Sequence, residues 1–217
     1  DHLKIVAAYQ QIEESRMDRR FKKDILNHRI EKLNIFSVNV DAEKQIGKQE
    51  LRYGAEFTFN DVQSTAFAEN IVNDTTGKLD TRYPDGGSTM RSLAVYVTHT
   101  WEISPKLILN DGIRFSNVAL DATFTDKTFY PFPFDNVNQN NSAVNGNIGL
   151  IYMPAAGWRI TAVGSTGFRA PNVDDLAKVF ESVQGNVIVP NPDLKPEYTY
   201  NAELGVSKTF AEKITIL

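Results

Sequence analysis

Arg169 lies inside the stretch GFRAP (167–171), and three carboxylates, Asp174, Asp175 and Glu197, follow it within one loop. A guanidinium among carboxylates makes paired, charge-assisted hydrogen bonds. It supplies neither a nucleophile nor a general base near neutral pH. Further along, NPDLKPE (191–197) contains Pro192 and Pro196. Each proline fixes its own φ and pushes the preceding residue out of the right-handed helical region, so the stretch reads as an extended entry to a strand. Asn191 and Asp193 suit turn-closing side-chain bonds. These residue types favour anchors for a long loop over direct ligand contacts. A second stretch, KTFYPFPFDN (127–136), places Phe129, Tyr130, Phe132 and Phe134 in a polar connection. Aromatics at that density form either a ligand or partner surface, or a packing layer between loops.

Catalytic sets do not emerge. His2, His28 and His99 lie far apart in sequence. His99 continues an apolar strand face and reads as packed or interfacial. No Ser/His/Asp set or nucleophile elbow stands out, and the absence of cysteine excludes disulfides and thiolate metal sites. The carboxylates of DATFTD (121–126) lack the spacing of a calcium loop, and GKLDTRYPDGG (77–87) lacks that of a phosphate loop. Neither a metal nor a cofactor is expected, and no enzyme activity. A formal net charge of −4 gives no basic face, which argues against a nucleic-acid partner.

Period-two alternation dominates the chain. Leu51, Tyr53, Ala55, Phe57 and Phe59 share one face, opposed by Arg52, Gly54, Glu56 and Thr58. Tyr198, Tyr200, Ala202, Leu204 and Val206 oppose Thr199, Asn201, Glu203, Gly205 and Ser207. Leu93, Val95, Val97 and Trp101 form a third such face, and Leu107, Leu109, Ile113 and Phe115 a fourth, with Asp111 intruding on it. Residues 33–40 change phase between Ile35 and Phe36, as a β-bulge would make them do. The pattern predicts about eight strands of roughly 9 to 15 residues, plus the start of another at KITIL (213–217). Helix is confined to a turn or two over 173–180.

Tight connections at 43–48, 104–106, 154–157 and 211–213 alternate with long polar ones at 62–90, 120–144 and 168–197, and a medium one at 17–29. Short turns at one end and long loops at the other are the pattern of an outer-membrane barrel. A tilted membrane strand needs about 9 to 11 residues, which these runs supply. Trp101, Trp158, Tyr198, Tyr152 and Phe168 fall near strand ends, where an interfacial girdle would place them. The fold class expected is therefore all-β, an antiparallel transmembrane β-barrel segment of about eight or nine strands. An odd strand count, a start without a basic n-region and an end without a terminal aromatic lead to the expectation of an internal part of a larger barrel.

GFRAP followed by NPDLKPE and then NAELGV resembles the signature of the TonB-dependent outer-membrane receptors, in the middle-to-late part of their barrel. TRYPDGGS (81–88), ILNDGIRFS (108–116) and GLIYMPAAGWRI (149–160) resemble the preceding portion, particularly in receptors of Bacteroidetes-like bacteria. The resemblance implies a 22-stranded barrel occluded by an N-terminal plug. It also implies TonB-energised uptake of a scarce, bulky nutrient of the ferric siderophore, haem or cobalamin class across the bacterial outer membrane. Residues 1–217 are then a partial barrel domain, with plug, signal peptide and last strands absent. The partners implied are outer-membrane lipid, the plug, the TonB complex through the plug, and the small-molecule nutrient. Loop residues matching the family motif are Phe168, Arg169, Ala170, Pro171, Asn191, Pro192, Asp193, Leu194, Lys195, Pro196 and Glu197. Haem receptors of the family commonly carry a histidine between the two boxes; residues 172–190 have none, which argues against haem capture by this loop. The lumen wall is expected to carry Arg52, Glu56, Asn60, Arg114, Asn147, Arg159, Asn201 and Glu203. An outer-membrane barrel enzyme and a plain porin or soluble β adhesin are the other classes open to such strands.

Overall fold

The computed structural model describes residues 1–176, 180–183, 186–188, 190–210 and 214–216. In chain order the strands are β1 (His2–Asp18), β2 (Ile25–Ile46), β3 (Gln49–Asn70), β4 (Thr75–Lys78), β5 (Ser88–Ser104), β6 (Leu107–Thr123), β7 (Asn136–Tyr152) and β8 (Trp158–Arg169). A single helical turn, α1 (Val173–Leu176), precedes β9 (Phe180–Val183), β10 (Asn186–Ile188), β11 (Glu197–Phe210) and β12 (Ile214–Ile216). Of the helical stretch expected over 173–180, Val173–Leu176 is helical and Phe180 instead opens β9; residues 177–179 and the tight turn expected at 211–213 lie outside the described residues.

Ten strands form one antiparallel sheet in the order β1-β2-β3-β5-β6-β7-β8-β11-β12, with β4 beside β3 and β9 paired to β10 apart from it. Among the described residues the sheet does not close on itself. Two-residue connections at 47–48 and 105–106 and a five-residue one at 153–157 join strands at one end. Gly47 and Gly157 take φ of +61° and +73° there, a region that costs other residues dearly. A Cβ on Gly157 would also meet the Thr209 carbonyl at 2.4 Å.

The strands run longer than the alternation suggested. β2 and β3 are 22 residues each and β1, β5, β6 and β7 are 17 each. At about 3.3 Å per residue and a tilt near 40°, 22 residues rise about 55 Å, roughly twice the apolar band of a bilayer. The expected long loops are correspondingly shorter, because residues 62–70, 88–90, 120–123 and 136–144 are strand.

Register fixes which residues share a face, since a one-residue slip would invert both. Tyr53 pairs with Val97 and Val97 with Ile113; Val95 pairs with Phe115 and Phe115 with Val144. Leu109 pairs with Leu150, Leu150 with Ala162 and Ala162 with Leu204. This face is open: Leu204 is 78 % exposed, Val144 62 % and Ile148 60 %. So continuous an apolar surface would be a liability in water and suits lipid. No described helix is long and apolar enough to cross a membrane, which says nothing of strands.

The opposite face carries Arg52, Glu56, Asn60, Arg114, Asn147, Arg159, Asn201 and Glu203, as the strand parity required. Arg114 Nη2 donates to Glu56 Oε2 at 2.5 Å, and the Tyr96 hydroxyl donates to Asp41. Gly54 makes room for that reach, for a Cβ there would meet the Tyr96 hydroxyl at 2.8 Å. The phase change at Ile35/Phe36 is not a bulge. β2 pairs with β1 and β3 without a register shift, placing Leu33 and Ile35 on the polar face and Phe36 and Val38 on the apolar one. The polar face simply becomes apolar towards the loop end, where other segments pack on it.

Candidate functional site

Three connections gather on the polar face at the loop end: 79–87, 124–135 and, of the connection from β8 to β11, the stretches 170–176 and 190–196. Leu120, Ala122 and Val137 project from the upper parts of β6 and β7 and form a buried cluster with Phe124, Phe132, Val173 and Leu176 from the connections. Burying side chains of this size stabilises by about 1.5–3 kcal/mol each, so the layer is a core in its own right. The Phe132 ring stacks on Phe134 at 5.6 Å and on Tyr130 at 5.9 Å, and Phe124 meets it edge-on at 5.3 Å. Of the four aromatics of 127–136, Phe132 is buried and Tyr130 and Phe134 are packed against the cluster. Phe129 is 42 % exposed.

Arg169 joins two elements. Its Nη1 donates to Glu197 at 3.0 Å, its register partner across β8 and β11, and its Nη2 to Asp175 Oδ2 at 2.6 Å. Asp175 Oδ2 also accepts from the Asn172 backbone N–H at 3.0 Å, and the Asp175 N–H donates to Asn172 Oδ1 at 3.0 Å. This reciprocal cap opens α1. Pro171 is buried and Ala170 half-buried beneath it, and the Phe168 ring lies 5.5 Å from Tyr198.

In the second box the Asp193 N–H donates to Asn191 Oδ1 at 3.0 Å, closing a turn. Gln139 on β7 donates from Nε2 to the carbonyls of both Pro192 and Leu194 at 2.8 Å. Leu194 packs against the aromatic cluster, Pro196 is half-buried, and Lys195 is exposed. The two boxes are thereby brought together, each tied to strand ends.

The 79–87 connection bridges the others. Asp85 accepts from the Thr125 N–H at 2.9 Å, the Asp126 N–H at 2.8 Å and the Thr125 hydroxyl. Burial works to raise its pKa, but these bonds outweigh it and hold the carboxyl below the usual range. The Tyr83 hydroxyl donates to Asp174 Oδ1 at 2.5 Å; burial first, and Asp174 second, push its pKa up to about 12. Arg29 binds Asp80 twice, through Nη2 to Oδ1 at 2.8 Å and through Nε to the carbonyl at 3.1 Å.

Two clefts flank Tyr83. One, of about 270 Å³, lies between 78–85 and 124–132 and includes Asp80, Asp126 and Phe129. The other, of about 290 Å³, lies against β1, β2, β3 and α1. Among the described residues no group of three or more His, Asp or Glu side chains is arranged to hold a metal ion. The arrangement can hold a molecule by shape, aromatic faces and acceptors. Tyr83, Glu31, Arg82 and Gln139 escaped the sequence reading, since each meets its partners on elements far away in sequence. TRYPDGGS carries Tyr83 and Asp85, but nothing in it announces Asp174 or Thr125 as their partners.

Residues 8–215 match the family model of the TonB dependent receptor-like β-barrel. The chain belongs to this family. No curated protein matches the sequence. Among solved structures, the copper transporter OprC superposes with a TM-score of 0.79 over 96 % of this chain and 33 % of its own, at 13 % identity. The ferric yersiniabactin uptake receptor FyuA from Yersinia pestis gives 0.64 over 96 % and 31 %, at 18 % identity. The ferric citrate transporter FecA gives 0.61 over 95 % and 29 %, at 15 % identity. At such identities the likeness is one of fold, and the chain spans about a third of these receptors' length. An antiparallel TonB-dependent receptor wall accounts for the open sheet, since the described strands are only part of such a barrel.

Proposed function

We propose that this chain forms part of the wall and outer mouth of an outer-membrane receptor that takes up a scarce, bulky nutrient with energy delivered through TonB. The observation that carries the reading is the asymmetry of the sheet. Its apolar face is open, while the described parts of three connections fold over its polar face at the long-loop end. In barrels of the outer membrane long loops face outwards and short turns face the periplasm, so the clasped loops stand where an arriving ligand is met. The family and fold are those of receptors and transporters, and the described residues of the site offer acceptors and aromatic faces that suit binding. A plug and the TonB contact belong to other parts of the receptor in this reading. The solved relatives carry copper, ferric yersiniabactin and ferric citrate, so the nutrient here belongs to the iron-chelate or metal class of cargo.

In this reading the two boxes are anchors. Arg169, Asn172, Asp175 and Glu197 hold the start of the 170–196 connection, Asn191, Asp193 and Gln139 hold its end, and Phe129 is the aromatic left to meet ligand. Removing 169–196 from the complete receptor should abolish TonB-dependent uptake while heat-modifiable migration on gels still reports an assembled barrel. Uptake at the wild-type rate would remove this loop from the function.

A further inference from the structure

The cleft of about 290 Å³ beside Tyr83 is walled by Ile12, Leu33, Val62 and Met90, with Val173 of α1 across it. Glu31 and Asn60 belong to the same lining. The Glu31 side chain is only 9 % exposed, and neither of its carboxylate oxygens accepts a hydrogen bond. Asn60 Oδ1 is likewise buried with no donor. Arg82 Nη1 approaches Glu31 Oε2 to 3.8 Å, and Glu14 to 4.0 Å. These separations give attraction but no hydrogen bond. Glu14, also in the lining, is engaged by Arg16. Asp174, the third carboxylate of the lining, accepts from Tyr83.

A carboxylate buried without donors is costly, and so is a buried amide oxygen. Both costs are offset when a donor enters the cleft. Arg16, Arg29 and Arg82 all act on Glu31, so the need is local rather than one of net charge: the two Glu31 oxygens lack a donor, and a carboxylate is met best by a donor that is itself cationic. The aliphatic walls favour a donor carried on a short apolar chain. We propose that this cleft receives a cationic arm of the transported molecule, an alkylammonium or guanidinium group on a short apolar chain, with Glu31 as its counter-ion and Asn60 Oδ1 as a second acceptor. This assignment rests on the uptake reading above and names a chemical feature of the cargo.

The probe is n-pentylammonium, titrated into the complete receptor in detergent micelles, with n-pentanol as its neutral counterpart. Saturable binding of the ammonium, absent for the alcohol and weakened about tenfold or more in Glu31→Gln, is the expected result. Asn60→Leu should weaken it less, and unchanged heat-modifiable migration shows that both variants assemble. Equal binding of alcohol and ammonium, no saturable binding, or unaltered affinity in Glu31→Gln would each overturn the proposal. TonB-dependent growth on iron chelates, measured in parallel, reads the uptake function separately. Uptake without ammonium binding sinks the cleft's assignment alone. Ammonium binding by a receptor that drives no TonB-dependent uptake removes the transport reading, and with it the link to a cargo.

Discussion

Asp85 connects two loops through one carboxylate, and the physics of that bond sets a pH window. Its hydrogen bonds from Thr125 and Asp126 favour the ionised form and hold its pKa below the ordinary 3.8. A group with a depressed folded pKa gives its stabilisation in full above the unfolded value and loses it as pH falls through the folded one. Tyr83 works in the opposite sense. Its pKa rises from 10.0 to about 12, so the neutral phenol's contribution is complete below 10.0 and fades as pH climbs towards 12. Docking of 79–87 should therefore hold between these limits and loosen below about pH 3.8 and above about pH 10. Limited proteolysis within 124–135 of the complete receptor checks this, using an acid protease below and subtilisin above. Asp85→Asn should be cleaved readily at neutral pH as well; equal resistance in wild type and Asp85→Asn would refute it. At this scale the sequence was readable where partners are near. Arg169 could be set among Asp174, Asp175 and Glu197 because they share one loop; it pairs with the last two, while Asp174 accepts from Tyr83. Gln139 could not be paired with the carbonyls of Pro192 and Leu194, because only the strand order β7-β8-β11 brings them together.

Among the strands, parity was legible and length was not. Alternation is enforced only where one face meets lipid and the other water. Towards the loop end Leu33, Val62, Leu120, Ala122 and Val137 make the polar face apolar as well, which erased the period and mimicked a bulge at Ile35/Phe36. One polar interruption of the apolar face lies among Trp101, Leu109, Val97 and Ile113, and the register explains it. Asp111 and His99 are directly opposed on β6 and β5, with His99 Nδ1 3.0 Å from Asp111 Oδ1 and its Nε2 3.2 Å from Gln49 Oε1. Three strands thus satisfy one another's polar groups between Trp101 and Leu109 on one side and Val97 and Ile113 on the other. Such a pair spares lipid an isolated charge but still takes both groups out of water. Replacing an opposed polar pair by an apolar one is often neutral or stabilising. The double variant His99→Val, Asp111→Ile should raise stability in liposomes by about 1–2 kcal/mol. Asp111→Ile alone should lower stability instead, because it leaves His99 Nδ1 without its partner. Urea unfolding followed by tryptophan fluorescence measures both; a clear loss in the double variant would mean that the polar pair stabilises the wall where it stands, and would refute the prediction.

The whole sheet poses a problem of edges. β1 pairs with β2 alone among the described residues, and of β11 only Lys208–Phe210 pair with β12. A row of unpaired backbone N–H and C=O groups within hydrocarbon costs several kcal/mol for each group, so an open sheet cannot rest in a bilayer. The family supplies the answer, a barrel in which further strands pair both edges. That these strands are part of a wider wall was legible in the resemblance to the family, whereas the shape of the mouth was not, because it depends on contacts between connections far apart in sequence. Residues 1–217 expressed alone should consequently fail to give a monomeric membrane-inserted form. Offered to phospholipid vesicles from urea, they should stay sensitive to trypsin and migrate on gels at one position whether heated or not, while the complete receptor becomes protected and heat-modifiable. Edge-to-edge association would be the other escape for such strands, visible as cross-linkable oligomers that depend on protein concentration. A protected, heat-modifiable monomer of these residues would show that the sheet can curl shut by pairing β1 with β11, and the wall of a larger barrel would no longer be the right description.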